Sequence, residues 1–232
     1  MTRILINAKA NFLMYLSKAV NYILSSRRAT IISYNDKYRR DTFDRLNRIG
    51  KETDLLLCPS EAYTIFMAVK VTEKINGDLA EVGVYKGGSS KIICEAKGHR
   101  TLHLFDTFEG LPGVGSIDSK QFFAGQYAGT FDEVKENLKN YENVYLYKGV
   151  FPTTADPIKI KKFSFVHFDV DTYLSTKECL NFFYERMSKG GIMVSHDYNA
   201  AEGVRRAFQE FFADKPEHII EIANSQCMIL KF

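Results

Sequence analysis

Three short stretches carry the residues that could do chemistry. The first is Glu81-Val82-Gly83-Val84-Tyr85-Lys86-Gly87-Gly88-Ser89-Ser90, at the end of an apolar run. Gly83 allows a tight turn, and Gly87 and Gly88 let backbone approach a ligand where a helix would begin. The spacing is G-x-x-x-G-G and not G-x-G-x-x-G, which argues against a dinucleotide fingerprint. In the second stretch, Leu104-Phe105-Asp106-Thr107-Phe108, Asp106 ends an apolar run 25 residues after Glu81. A carboxylate there can accept both hydroxyls of a ribose, or else cap a helix. Together the two stretches point to an adenosine-containing ligand.

The third stretch is Phe168-Asp169-Val170-Asp171-Thr172-Tyr173, answered one apolar run later by Ser195-His196-Asp197-Tyr198. If the two runs are neighbouring strands, Asp169 and Asp197 converge on one point. Two carboxylates with room for water suit Mg²⁺, and His196 would add a nitrogen that tilts the site toward Mn²⁺, Fe²⁺ or Zn²⁺. Helix capping is the plainer use of Asp171 and Asp197. His103 and His167 lie within apolar runs and read as structural.

The elements that must hold these residues alternate. Strands are expected at Leu79–Val84, Thr101–Phe105, Val144–Tyr147, Phe163–Phe168 and Ile192–Ser195, with helices at Ser89–Ala96, Phe131–Tyr141, Ser175–Met187 and Glu202–Phe212 between them. Such alternation means right-handed βαβ crossovers and a mostly parallel sheet covered on both faces. Two last strands, near His218–Ile222 and Cys227–Lys231, are joined by too few residues for a helix and must pair antiparallel. The fold class is therefore α/β, a doubly wound Rossmann-like sheet of seven strands with an antiparallel last strand. In such a sheet ligands bind at the carboxyl ends of the strands, where every unusual polar residue above falls.

Ahead of the sheet lies a helical extension, and the domain boundary is expected near residue 50, giving 1–50 and 51–232. Leu5, Phe12, Leu16, Val20 and Ile23 form one apolar helical stripe, suited to the body, a second copy in a homodimer or a membrane surface. Tyr34–Arg48 reads as a linker or lid, and Ser60 as an N-cap before a helix from Glu61 to Ile75. Of 232 residues, 45% are hydrophobic and 25% charged, an ordinary globular composition that excludes fibrous and disordered classes. The net charge is +3, but the first fifty residues hold +7 and the rest −4. The basic arm could meet an anionic acceptor or a membrane periphery; no nucleic-acid reader motif is present. Cys58, Cys94, Cys179 and Cys227 are scattered, which suits a reducing, cytoplasmic setting.

Across Gly77–Phe212 the chain resembles the macrocin O-methyltransferase (TylF-like) family of class I S-adenosylmethionine-dependent methyltransferases. The resemblance rests on Ala80-Glu81-Val82-Gly83-Val84-Tyr85-Lys86-Gly87-Gly88-Ser89, Phe105-Asp106-Thr107-Phe108-Glu109-Gly110-Leu111-Pro112, His167-Phe168-Asp169-Val170-Asp171-Thr172-Tyr173-Leu174-Ser175-Thr176, and Gly190-Gly191 followed by His196-Asp197-Tyr198. It implies an S-adenosylmethionine site formed by Ser60, Glu61, Glu81, Gly83, Gly87, Gly88, Ser89, Asp106, Thr107, Phe108 and Asp169. It implies a divalent metal, usually Mg²⁺, held by Asp169 and Asp197, where His196 can still ligate, and Asp171 as general base. The implied reaction is methylation of a hydroxyl on a sugar or glycosylated small molecule. This chain departs from the family's Asp-Asp-Tyr after the fifth strand, where it has His196-Asp197-Tyr198. A non-catalytic cofactor-binding scaffold and, more remotely, a nicotinamide-dependent oxidoreductase are the competing expectations.

Overall fold

In the computed structural model, β1 (Asp78–Val82) and β4 (Phe163–Phe168) form the centre of the sheet, and their side chains are buried almost throughout. Strands buried on both faces read as continuous apolar runs, which is why LAEV and FSFVHF carry so few polar residues. The structure describes Phe12, residues 15–24, 36–37 and 39–232. The chain divides into two units, Met1–Asn47 and Arg48–Phe232.

In the second unit β2 (Leu102–Asp106) and β3 (Val144–Lys148) extend the sheet on one side of β1, all parallel. On the other side of β4 come β5 (Met187–Ser195), then β7 (Cys227–Leu230) and β6 (Ile220–Glu221), giving the order β3-β2-β1-β4-β5-β7-β6. β7 runs antiparallel to both β5 and β6. The strand order reverses between β1 and β4, so a crevice opens above their carboxyl ends.

Counting the helical residues 15–24 as α1, the remaining helices are α2 (Arg40–Glu52), α3 (Pro59–Val71), α4 (Gly88–Ala96), α5 (Phe131–Leu138), α6 (Tyr173–Phe183) and α7 (Glu202–Phe212). α7 is amphipathic: Val204, Ala207, Phe208 and Phe212 repeat at helical spacing and are buried. Under α6 the rings of Phe151 and Phe183 stack at 5.3 Å, and Phe163 meets Phe183 edge-on at 5.1 Å. A fully buried phenylalanine contributes about 2–3 kcal/mol, so this aromatic cluster anchors the end of α6 on the start of β4.

Several expected boundaries move. Residues 40–52, with 40–48 expected within a linker or lid, are a helix, because Phe43, Leu46 and Ile49 repeat every three residues and are buried, with Asp41 in the first turn and Lys51 in the last. The helix expected at Glu61–Ile75 starts earlier and stops sooner. Its N-cap is Cys58 and not Ser60, because Pro59 fits the first helical position and Glu61 turns back to accept the Cys58 N–H at 2.8 Å. α6 ends at Phe183, and β5 begins at Met187 where helix was expected. Gly190, at φ +81°, accommodates an irregularity there: pairing steps from Phe163 opposite Met187 to Phe165 opposite Ile192. Of the expected stripe, Phe12 and, in α1, Leu16 and Ile23 are exposed; Leu5 lies outside the described residues. Among the described residues no helix is long and apolar enough to cross a membrane.

Candidate active site

The strand ends are locked to one another before any side chain is considered. Gly83 N–H donates to Phe105 O, Asp169 N–H to Val82 O and His196 N–H to Phe168 O, each at 2.9 Å. Ladder bonding thus continues one residue beyond β1, β4 and β5 and sets Gly83, Asp169 and His196 side by side. Gly83 has φ +88°, and a β-carbon on it would lie 1.8 Å from the Asp169 carbonyl oxygen. Only glycine lets those two strand ends approach so closely.

A single cleft opens over these ends. Gly83, Gly88, Ser89, Asp106 and Thr107 line it together with Asp169, Asp171, His196 and Asp197. Asp106 is heavily engaged: Oδ2 accepts Val84 N–H at 2.6 Å and Tyr85 N–H at 2.9 Å, and Oδ1 accepts Phe108 N–H at 2.6 Å. A carboxylate offers about four acceptor positions, so one more hydroxyl fits as it stands. Accepting two requires a rotation that releases one backbone bond. The residue therefore ties the glycine turn to the β2 loop and presents an acceptor to the cleft.

At the other end of the cleft sits a cluster of charge. His196 Nδ1 lies 3.3 Å from Asp169 Oδ1 and 3.2 Å from Asp197 Oδ2, while Nε2 lies 3.4 Å from Glu61 Oε2. Both ring nitrogens are buried and neither is aligned for a hydrogen bond. Burial disfavours the imidazolium, but Asp169, Asp197 and Glu61 outweigh it and hold the histidine well above its ordinary range. Asp169 is half-buried, and although desolvation would raise its carboxyl, His196 keeps it below the usual value. Asp171 goes the other way. Burial first, then the charges of Asp169 and Asp197, push its carboxyl up to about 9. Its backbone has φ +59°, in a turn closed by Thr172 N–H to Val170 O at 2.6 Å. A strained residue with a displaced pKa in a cleft is the usual mark of a working group.

Two carboxylates and an imidazole, with one ligand atom each within 4.8 Å of the others, fit a divalent cation. The unaligned Nδ1, facing both carboxylates, is a further sign of fit: a cation between them would satisfy it.

The other expected ligand-binding residues fall elsewhere. Glu81 is fully buried beneath the cleft, its carboxylate bonded to Ser90 Oγ–H and, at 2.9 Å, to His167 Nδ1. Gly87 is the N-cap of α4, and Phe108 packs edge-on against Phe131 at 5.4 Å; neither lines the cleft. Ser60 lies in the first turn of α3 beside Cys58, and Glu61 faces His196. His103 is buried between Asp78 and Tyr147, as a structural histidine would be.

Sequence reasoning missed Asp54–Leu57, which lie along the cleft before α3, and the loop residues Gln126 and Tyr127. Burial raises the Tyr127 phenol, and the charges of Asp171, Asp197 and Asp169 raise it further, so the ring stands within their field. It missed Asp118 too. From the loop after β2, Asp118 Oδ1 accepts the Tyr173 N–H at 2.6 Å, at the start of α6 and two residues beyond Asp171. The signal available was a lone Asp in a Gly- and Ser-containing loop, which any surface turn shares.

Residues 63–227 match the family model described as macrocin O-methyltransferase (TylF). Among curated proteins, the chain is 29% identical over 157 residues to a tetracenomycin rhamnosyl 4'-O-methyltransferase of Streptomyces olivaceus, covering 61% of this chain and 60% of that one. It is 29% identical over 159 residues to demethyldecarbamoylnovobiocin O-methyltransferase of Streptomyces niveus, covering 62% and 61%. The match thus spans about 60% of the length of these curated relatives. Among solved structures, the O-methyltransferase NovP superposes with a TM-score of 0.64 at 25% identity, covering 76% of this chain and 81% of that one. An O-methyltransferase from Bacillus cereus in complex with SAH shares the fold, with a TM-score of 0.57 at 14% identity over 92% and 97% of the two chains.

Proposed function

Because the chain belongs to the macrocin O-methyltransferase family, we propose that it transfers a methyl group from S-adenosylmethionine to a hydroxyl of a sugar or glycosylated small molecule. The observation that carries this reading is the joining, in one cleft, of an adenosine-type acceptor at Asp106 to the acidic and imidazole cluster of Asp169, Asp171, His196 and Asp197. The relatives' names supply the acceptor class: one acts on a rhamnosyl tetracenomycin and another on demethyldecarbamoylnovobiocin. A cytoplasmic setting suits its free cysteines, three of them buried.

When bound, S-adenosylmethionine supplies a methyl group already activated as a sulfonium, and a divalent cation, Mg²⁺ or a first-row ion, supplies Lewis acidity toward the acceptor hydroxyl. The protein contributes position and proton management. The Asp106 carboxylate takes the ribose side of the ligand. The flush strand ends at Gly83 and Asp169 leave room for the sulfur-bearing chain, with Gly88 and Ser89 beside it. Asp169, His196 and Asp197 would hold the cation.

Asp171 is the base. A carboxyl raised to about 9 binds an incoming proton more firmly than an ordinary carboxylate. The cost is that it stays mostly protonated at neutral pH. Positive charge at the Asp169, His196 and Asp197 cluster, from a protonated His196 or from the cation those residues would hold, works against that and favours the ionised form able to accept the hydroxyl proton. Tyr127 and Gln126, on the loop beside the cluster, narrow the cleft and exclude water from the acceptor side.

Calorimetric titration with S-adenosylhomocysteine tests the cofactor half, comparing the native protein with Asp106→Ala and Asp106→Asn. Micromolar binding lost in the alanine variant is expected. No binding to a folded native sample overturns the reading. Transfer of labelled methyl from S-adenosylmethionine to a panel of nucleotide-linked deoxysugars and glycosides tests the acceptor half.

A further inference from the structure

The imidazole of His196 has two sides with different surroundings. Nδ1 faces the Asp169 and Asp197 carboxylates at 3.3 and 3.2 Å, toward the cleft. Nε2 faces away from them, toward Glu61 Oε2 at 3.4 Å. Glu61 itself is gripped from two further directions. Its Oε2 accepts the Cys58 N–H at 2.8 Å, and its Oε1 accepts the Ser225 hydroxyl at 2.6 Å from the turn between β6 and β7. The Gln226 side-chain amide donates to the Glu61 backbone carbonyl at 3.4 Å. A carboxylate fixed by a helix start and a hairpin turn is a rigid backstop, and it is 7% exposed.

An imidazole with one nitrogen 3.4 Å from a fixed carboxylate and the other turned toward two acidic oxygens has the layout of a metal-bound histidine with its outer carboxylate. We propose that Glu61 is a positioning residue, holding His196 by Nε2 so that Nδ1 becomes a nitrogen donor beside Asp169 and Asp197. The site then selects a first-row transition ion over Mg²⁺. The proposal rests on the metal-assisted reading above. Three observations carry it: the opposed orientation of the two ring nitrogens, their lack of aligned hydrogen-bond partners, and the immobilisation of Glu61. The preference follows from chemistry: oxygen-only sites suit Mg²⁺, whereas an imidazole donor favours first-row ions, rising through the series from Mn²⁺ toward Cu²⁺. Mn²⁺, near the weak end of that series, is a strict probe.

Mn²⁺ added to the full-length protein with S-adenosylhomocysteine is followed by electron paramagnetic resonance. The free-ion signal gives affinity, and pulsed measurement detects ¹⁴N coupling to the bound ion. Expected are ¹⁴N modulation in the native protein, its loss in His196→Gln, and a roughly 10- to 100-fold weaker affinity in Glu61→Gln. Ser225→Ala, which removes the hydroxyl bond to Glu61 Oε1 while leaving the start of α3 intact, is expected to weaken binding in the same direction. His196→Asp should bring Mg²⁺ affinity close to that for Mn²⁺. Bound Mn²⁺ without ¹⁴N modulation overturns the nitrogen-donor inference and leaves metal assistance standing. Native affinity and modulation in both Glu61→Gln and Ser225→Ala overturn the role of Glu61. Absence of any Mn²⁺ binding overturns the metal-assisted reading and this inference with it. Circular dichroism of each variant separates these outcomes from loss of fold.

Discussion

Asp118 accepts the backbone N–H of Tyr173 across 55 residues of chain. Its other oxygen accepts the Gly115 N–H at 2.7 Å. The same carboxylate thus shapes the loop after β2 and caps the helix that begins beside Asp171. The two sides of the cleft meet in that one group.

If the bond aligns the base, Asp118→Ala should lower turnover by roughly tenfold or more, in line with about 1.5–3 kcal/mol for a hydrogen bond to a charged acceptor. S-adenosylhomocysteine affinity should change less than twofold. Asp118→Asn, which keeps one acceptor oxygen, should fall between. Equal loss of turnover and cofactor binding would mean that Asp118 supports the whole cleft.

Asp171→Asn removes the proton acceptor and preserves shape. Turnover is expected to fall by about 10²–10⁴-fold, with calorimetric affinity for S-adenosylhomocysteine retained. Unchanged turnover would remove Asp171 from the base role.

A methyl group at position 83 would collide with the carbonyl of Asp169. Gly83→Ala should destabilise the protein by more than about 3 kcal/mol or separate the two strand ends. Thermal denaturation and cofactor titration would report either result. A variant with native melting temperature and native affinity would contradict the close approach.

Away from the cleft, Glu217 is buried, with Lys231 Nζ at 2.6 Å and the Tyr184 hydroxyl at 2.8 Å. Burial alone would raise its carboxyl, but those two donors hold it below the ordinary value. A depressed carboxyl binds fewer protons folded than unfolded at mildly acid pH. Its stabilisation is therefore complete above the unfolded value near 4.5 and disappears as pH falls through the folded one. Lys231→Met should cost about 3 kcal/mol at pH 7 by leaving a buried charge unpaired. It should also flatten the acid limb of a melting-temperature profile. A profile parallel to that of the native protein would show that the pair contributes nothing to acid sensitivity.

What could be read from the chain was what strands announce. Asp106, Asp169 and Asp197 were legible because a carboxylate that ends an apolar run stands out, and the alternation of runs fixed which ends are neighbours. Gly83 was legible as a turn, though its contact with Asp169 was not, since that depends on how two strands pair. Asp118, Tyr127 and the Asp54–Leu57 segment were hidden because their partners are distant and loops carry no period. α2 was obscured because its charges outnumber Phe43, Leu46 and Ile49. Glu61 was marked as a cofactor residue by resemblance alone; its position facing His196 required the fold.

The bond between Glu61 and Ser225 closes a loop of 164 residues, and that between Glu81 and His167 a loop of 86. Long closures are entropically slow to form and arrive after local helices. A growing chain that has emptied only β1 to β5 from the ribosome still lacks the hairpin that braces Glu61. The brace behind His196 is therefore completed last, although every residue lining the cleft precedes it in the chain. At a hundredfold excess over its dissociation constant a ligand adds about 2.7 kcal/mol to the folded state. A ligand seated over the ends of β1, β2, β4 and β5 would thus be read as a rise in melting temperature as well as in occupancy.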